Sequence, residues 1–120
     1  MKLAVTASGS TLDALLDARF GRASYFMVVD PETLAHEAYD NVQNLNAAQG
    51  AGIQAAQQVA GFGVDAVITG HCGPKAFQVL TAAGISIVVG AQGTVLDAVN
   101  DYNKGVLMPV TEADVEGHWV

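Results

Sequence analysis

The strongest constraint in this sequence is a pattern that occurs three times: a short apolar run stops on a glycine-rich stretch and helical spacing follows. Leu3 to Ala7 closes on Ser8-Gly9-Ser10. Ala66-Val67-Ile68-Thr69 closes on Gly70-His71-Cys72-Gly73-Pro74, and Ile85 to Val89 closes on Gly90-Ala91-Gln92-Gly93-Thr94. Runs of this kind fit strands buried on both faces, as in a parallel sheet. Pro74 stands where a first-turn proline opens a helix carrying Ala76, Phe77, Leu80 and Ala83. Thr94 with Asp97 three residues on is a capping-box start for a helix through Tyr102. Strands alternating with helices predict an α/β domain, and right-handed crossovers put helices on both faces of the sheet.

Between the first and second runs the pattern differs. Ser10 to Ala23 mixes turn residues with a short helical pattern at Leu12, Leu15 and Leu16, and reads as a long loop. Tyr25 to Asp30 is aromatic and β-branched, Pro31-Glu32-Thr33 is a turn, and Leu34 to Val42 alternates, so these segments predict a hairpin. Ile53, Ala56, Val59 and Ala60 give a helix over about 48–61. The expectation is one five-stranded mixed sheet, with the strand near 24–30 antiparallel to those near 2–7, 65–69 and 85–89. The domain is expected to span 1–107, with 108–120 as a C-terminal tail lacking any period.

Composition narrows the function classes. The chain has 120 residues, 51% hydrophobic and 14% charged, so it suits a folded core rather than a disordered tail. Twelve acidic against five basic residues give a net charge of -7 with no basic run, which argues against nucleic acid or an anionic membrane as partner. The apolar start is too short for a signal segment or a membrane span, so a cytoplasmic location is expected. The single Cys72 makes no internal disulfide and supplies no four-thiolate site within one chain.

Candidate chemistry gathers at the glycine-rich ends, since ligands of open α/β sheets bind beyond the carboxyl ends of parallel strands. Lys75 follows one such end, while Arg19 and Arg22 lie in the loop that leaves another. These cations point to an anion site; the alternative is that the glycines cap helices and the cations are merely solvated. Gly50-Ala51-Gly52-Ile53-Gln54-Ala55 matches a dinucleotide fingerprint, but it follows the return arm of a hairpin rather than a first βαβ strand. Two-metal nuclease chemistry needs carboxylates on the central strands, and the first strand offers Leu3, Val5 and Ala7. Cys72 beside His71 at a helix start is either an activated thiolate or a small residue tolerated in a tight loop. His36, His118, Met27 and Met108 show no metal-ligand spacing.

Taken as a set, several segments are familiar: Asp17-Ala18-Arg19-Phe20-Gly21-Arg22-Ala23 with Tyr25-Phe26, Asn44, Gly50-Ala51-Gly52-Ile53, Gly63 to Gly70, Gly73-Pro74-Lys75-Ala76, Ala83-Gly84-Ile85 and Gly93-Thr94-Val95. Together they resemble the dinitrogenase iron-molybdenum cofactor biosynthesis family, the NifX and NifY type that also forms the C-terminal domain of NifB and includes the orange-protein type. The resemblance covers the chain to about Leu107. It implies a ribonuclease-H-like fold without nuclease carboxylates, and a carrier rather than an enzyme. The implied cargo is an anionic molybdenum-, iron- or copper-containing sulfide cluster, either an iron-molybdenum cofactor precursor or a molybdenum/copper-sulfide type, exchanged with a donor or acceptor protein. The residues expected to hold it are Ser8, Gly9, Arg19, Phe20, Arg22, Gly70, His71, Cys72, Gly73, Lys75, Gly93 and Thr94, with His71 and Cys72 as metal ligands and Phe20, Tyr25 or Phe26 as apolar walls. A monomer or weak dimer is expected. The alternatives are a regulatory or scaffold domain that binds a nucleotide or other small anion, and a Cys72-dependent enzyme.

Overall fold

The structure is a computed structural model and describes residues 1–41 and 50–111. Val42, Asn44, the first residues expected of the 48–61 helix, and His118 and Trp119 of the tail lie outside the described residues.

Strand β1 (Leu3–Ala7) is followed by the long loop, which contains a 3-10 turn at Phe20–Arg22. Then come β2 (Tyr25–Val29), β3 (His36–Asp40), helix α1 (Ala51–Ala60), β4 (Ala66–Ile68), α2 (Pro74–Ala82), β5 (Ser86–Val88), α3 (Val95–Asn103) and β6 (Pro109–Val110). The strands form one six-stranded sheet in the order β3-β2-β1-β4-β5-β6. β1 pairs parallel with β4 and β4 with β5, while β1–β2, β2–β3 and β5–β6 are antiparallel.

Each central strand divides its side chains between two cores by the two-residue period. Ala4, Phe26, Val67 and Ile87 face the layer made by Ala55, Ala56 and Val59 of α1 and Ala76 and Leu80 of α2. Leu3, Val5, Ala7, Met27, Val29, Ile68 and Val88 face Val95, Ala98 and Val99 of α3. Both helical stripes follow the three- and four-residue spacing that one helix face requires.

Two expectations need correction. Among the described residues the sheet has six strands rather than five, and two of them, β2 and β6, run against β1, β4 and β5. The extra strand is Pro109–Val110, in a stretch where no period was readable: two residues carry no period, and a strand so short is held by its pairing to Val88 and Ile87. Pro109 is tolerated because an edge strand does not need every N–H. Among the described residues no helix is long and apolar enough to cross a membrane.

Candidate functional site

At the carboxyl ends of β1, β4 and β5 the three glycine-rich loops are joined into one rim by the long loop. Antiparallel bridging starts directly after β1: Ala7 pairs with Leu16, and the Ser8 N–H and hydroxyl each donate to the Leu15 carbonyl at 2.9 Å. The loop then meets the third mouth, where Leu15 pairs with Thr94 and the Leu16 N–H donates to the Gly93 carbonyl at 2.8 Å. Farther on it meets the second mouth. Arg19 pairs with His71 in a parallel bridge: the His71 N–H donates to the Ala18 carbonyl at 2.7 Å, and the Phe20 N–H donates to the His71 carbonyl at 3.2 Å. The circle closes between the second and third mouths, where the Gly90 N–H donates to the Gly70 carbonyl at 2.9 Å.

Two features make this stapling possible. A Cβ at Gly70 would stand 2.7 Å from the Cα and carbonyl oxygen of Ala18, so only glycine lets the loop lie this close. Beneath the loop, the buried Thr6 hydroxyl is 2.6 Å from the Asp17 carbonyl oxygen and 2.9 Å from the Thr69 hydroxyl. With one proton to give, Thr6 donates to Asp17 and accepts from Thr69. The Asp17 N–H returns a 3.0 Å bond to the Thr6 carbonyl, and the Asp17 carboxylate accepts from the Arg19 N–H at 3.0 Å. Sequence reading missed Thr6, Thr69 and Asp17 as positioning residues. The visible signal was a hydroxyl at the end of two otherwise apolar strands.

The expected site residues divide by depth. Arg19, Arg22, His71, Lys75 and Ser8 are exposed, and Arg19 lies directly alongside His71. Gly73 caps α2 without a side-chain cap bond, leaving the first-turn N–H groups near Lys75 without that partner. Thr94 is committed elsewhere: its hydroxyl accepts from the Asp97 N–H at 3.1 Å, and its own N–H donates to the Asp97 carboxylate at 3.0 Å. Phe20 is buried with its ring centroid 5.7 Å from that of Phe26, and Tyr25 is half-buried. Cys72 has no exposed surface, and its Sγ is 3.7 Å from the Gly73 carbonyl oxygen. Of the expected site residues, the exposed side chains are therefore three cations, an imidazole and a serine hydroxyl, while Phe20, Phe26 and Cys72 are buried.

The rim also carries acid. Asp13 is held below the usual carboxylate range first by the Thr11 hydroxyl, 2.6 Å away, and then by a backbone N–H. Among the described residues, no three His, Cys, Asp or Glu side chains come together as a metal-ion site.

The 50–55 fingerprint has a packing role here. Gly52 is buried where the 3-10 turn crosses α1, and a Cβ on Gly21 would be 2.7 Å from the Gly52 nitrogen. Asn41 fixes the same turn, donating from Nδ2 to the carbonyls of Gly21 (3.3 Å) and Ala23 (2.8 Å).

The sequence profile for the dinitrogenase iron-molybdenum cofactor family matches residues 1–105. The chain belongs to that family. Among solved structures it is similar to the apo form of the orange protein from Desulfovibrio gigas: TM-score 0.89, 43% identity, covering 95% of this chain and 96% of that one. It is also similar to a putative NifB protein from Thermotoga, with TM-score 0.79, 30% identity and 97% and 98% of the two chains covered. An uncharacterized protein of Methanocaldococcus jannaschii is 29% identical over 94 residues, 77% of this chain and 80% of that one. The family and these neighbours connect the chain with a metal-cluster-related role.

Proposed function

We propose that this protein is a cytoplasmic, non-catalytic carrier of an anionic metal-sulfur cluster of the iron-molybdenum precursor or molybdenum/copper-sulfide type, received from and passed to other proteins. The observation that carries this reading is the bridge that sets Arg19 beside His71, joining two glycine-rich mouths into one exposed cationic rim. A polysulfido-metallate is a large soft anion suited to N–H donors and cations, and nests of backbone N–H groups bind such anions. Arg19, Arg22 and Lys75 supply charge, and the loop and first-turn N–H groups near Gly73 supply donors. His71 is read as the ligand that touches metal or sulfide, since it is exposed, and Cys72, which is buried, joins only if its loop opens. We read the first five strands, ordered β3-β2-β1-β4-β5 with β2 alone reversed among them, as a ribonuclease-H-like sheet. Leu3, Val5 and Ala7 of β1 are buried apolar side chains, which removes the carboxylates that nuclease chemistry requires.

Oxygen-free titration with tetrathiomolybdate, with and without copper, tests the reading through the charge-transfer absorbance. Stoichiometric uptake that is weakened in the Arg19→Gln/Arg22→Gln/Lys75→Gln variant is expected. No uptake by the parent, or stoichiometric uptake of a nucleotide in its place, overturns the carrier reading.

A further inference from the structure

The edge strand β3, His36–Asp40, is exposed at all five positions and lies at the end of the sheet. Its backbone polarity follows from the hairpin. The Asp30 N–H donates to Ala35 (2.9 Å) and the Asn41 N–H donates to Ser24 (3.0 Å), and each of these pairs is directly opposite in the β2–β3 register. Hydrogen-bonded pairs alternate along an antiparallel ladder, so residues 35, 37, 39 and 41 bond inward and residues 36, 38 and 40 turn their N–H and C=O groups outward. Of that outward set, the Asp40 carbonyl already accepts from Gln58 Nε2 at 2.6 Å.

We propose that β3 pairs antiparallel with β3 of a second copy of this chain, with the two-fold axis at Ala38. In that register Ala38 exchanges both N–H···O=C bonds with its counterpart, and each Asp40 N–H donates to the His36 carbonyl opposite. Each His36 N–H in turn faces the Asp40 carbonyl opposite, whose second lone pair accepts it beside Gln58. The side chains are self-complementary. His36 lies opposite Asp40; its Nδ1 is 2.8 Å from the Leu34 carbonyl oxygen, so Nε2 has a proton for Asp40 when the ring is protonated. Glu37 lies opposite Tyr39, whose hydroxyl already donates to Glu37 within the chain. Ala38 against Ala38 leaves room for close approach. A shift of two residues one way places Glu37 opposite Glu37, which is repulsive, and the opposite shift leaves His36 without its acid. Charged residues commonly guard an edge against pairing. Here their order favours the register centred on Ala38 over its two neighbours.

The pairing reverses one copy relative to the other, so the two rims face opposite ends of the joined sheet and both stay open. Loading at the rim does not enter the test, and the dimer stands or falls independently of the carrier reading.

Sedimentation or light scattering on the full apo chain across a concentration series into the millimolar range measures the mass. The expected result is a rise from 12.4 kDa toward twice that value. Ala38→Pro removes an outward N–H and no bond to β2, so that variant is expected to keep its circular dichroism and stay monomeric. Asp40→Lys is expected to weaken the dimer at least tenfold, and His36→Glu combined with Asp40→Lys to restore it. Ala38→Cys is expected to form an intermolecular disulfide on mild oxidation. A parent that keeps single-chain mass throughout, a dimer that survives Ala38→Pro in folded protein, or a charge swap that fails to rescue overturns the proposal.

Discussion

Cys72 shows how a residue's chemistry depends on its depth. Its place before a helix would favour a thiolate, but a thiol with no exposed surface reacts only when its loop opens. In the folded protein it is expected to react with a bulky aromatic disulfide reagent at least a hundredfold more slowly than in denaturant, followed by absorbance; equal rates would show that it is accessible. Gly70 is the opposite case, a residue whose lack of a side chain is what matters. Gly70→Ala drives a Cβ into the Ala18 backbone and is expected to cost about 1–3 kcal/mol in urea unfolding, the range for overpacking, and, on the proposed reading, to weaken tetrathiomolybdate uptake. Asp30 sets a pH dependence. Its carboxylate accepts the N–H groups of Glu32 at 2.8 Å and Thr33 at 3.2 Å, which hold it below the usual carboxylate value. A group lowered in the folded state contributes stability above its unfolded value, about 3.9, and loses that contribution as pH falls through the folded value. Asp30→Ala is therefore expected to flatten the decline in Tm below about pH 4 relative to the parent; identical acid limbs would remove Asp30 from the cause.

Element by element, legibility followed the side chains. β1, β2, β4 and β5 were readable because apolar side chains line both cores, and α1, α2 and α3 because their buried positions recur at helical spacing. β6 was not readable, since its position comes from two residues of pairing with β5. The 10–23 loop was legible as a loop, yet its path was not. Backbone bonds such as Leu16 to Gly93 and His71 to Ala18 hold it, and a backbone bond leaves no mark on residue type. The exposed members of the candidate site were legible as cations near glycines, whereas the burial of Phe20 and Cys72 depended on how that loop folds back. Thr6 and Thr69 bind loop to sheet. Thr6→Val leaves the Asp17 carbonyl without the hydroxyl and is expected to cost about 1–3 kcal/mol. Thr69→Val is expected to cost less, and the double variant less than the sum, because the hydroxyls form one chain. Strict additivity in a denaturant cycle would mean that the two act separately.

At the scale of the whole molecule, the proposed carrier role sets a problem, because a chain with net charge -7 repels an anion at long range and would have to hold it at short range. Salt separates the two effects. At about 0.01 M the screening length is roughly 30 Å, comparable to molecular extents of 38 × 27 × 24 Å, so the approaching anion feels the whole negative chain. At about 0.1 M it is roughly 10 Å, and an anion held at the proposed rim site would feel mainly the cations assigned to it, Arg19, Arg22 and Lys75. Contact with three cations outweighs diffuse repulsion in the bound state, so the parent's affinity for tetrathiomolybdate is expected to fall with salt. Replacing those three cations by Gln takes the net charge from -7 to -10 and leaves only the backbone donors facing a more negative molecule. For that variant the salt slope is expected to change sign: residual binding tightens between about 0.01 and 0.1 M because screening now relieves only repulsion. Equal slopes in the two proteins, measured by titration across that range, would show that the anion binds away from the rim.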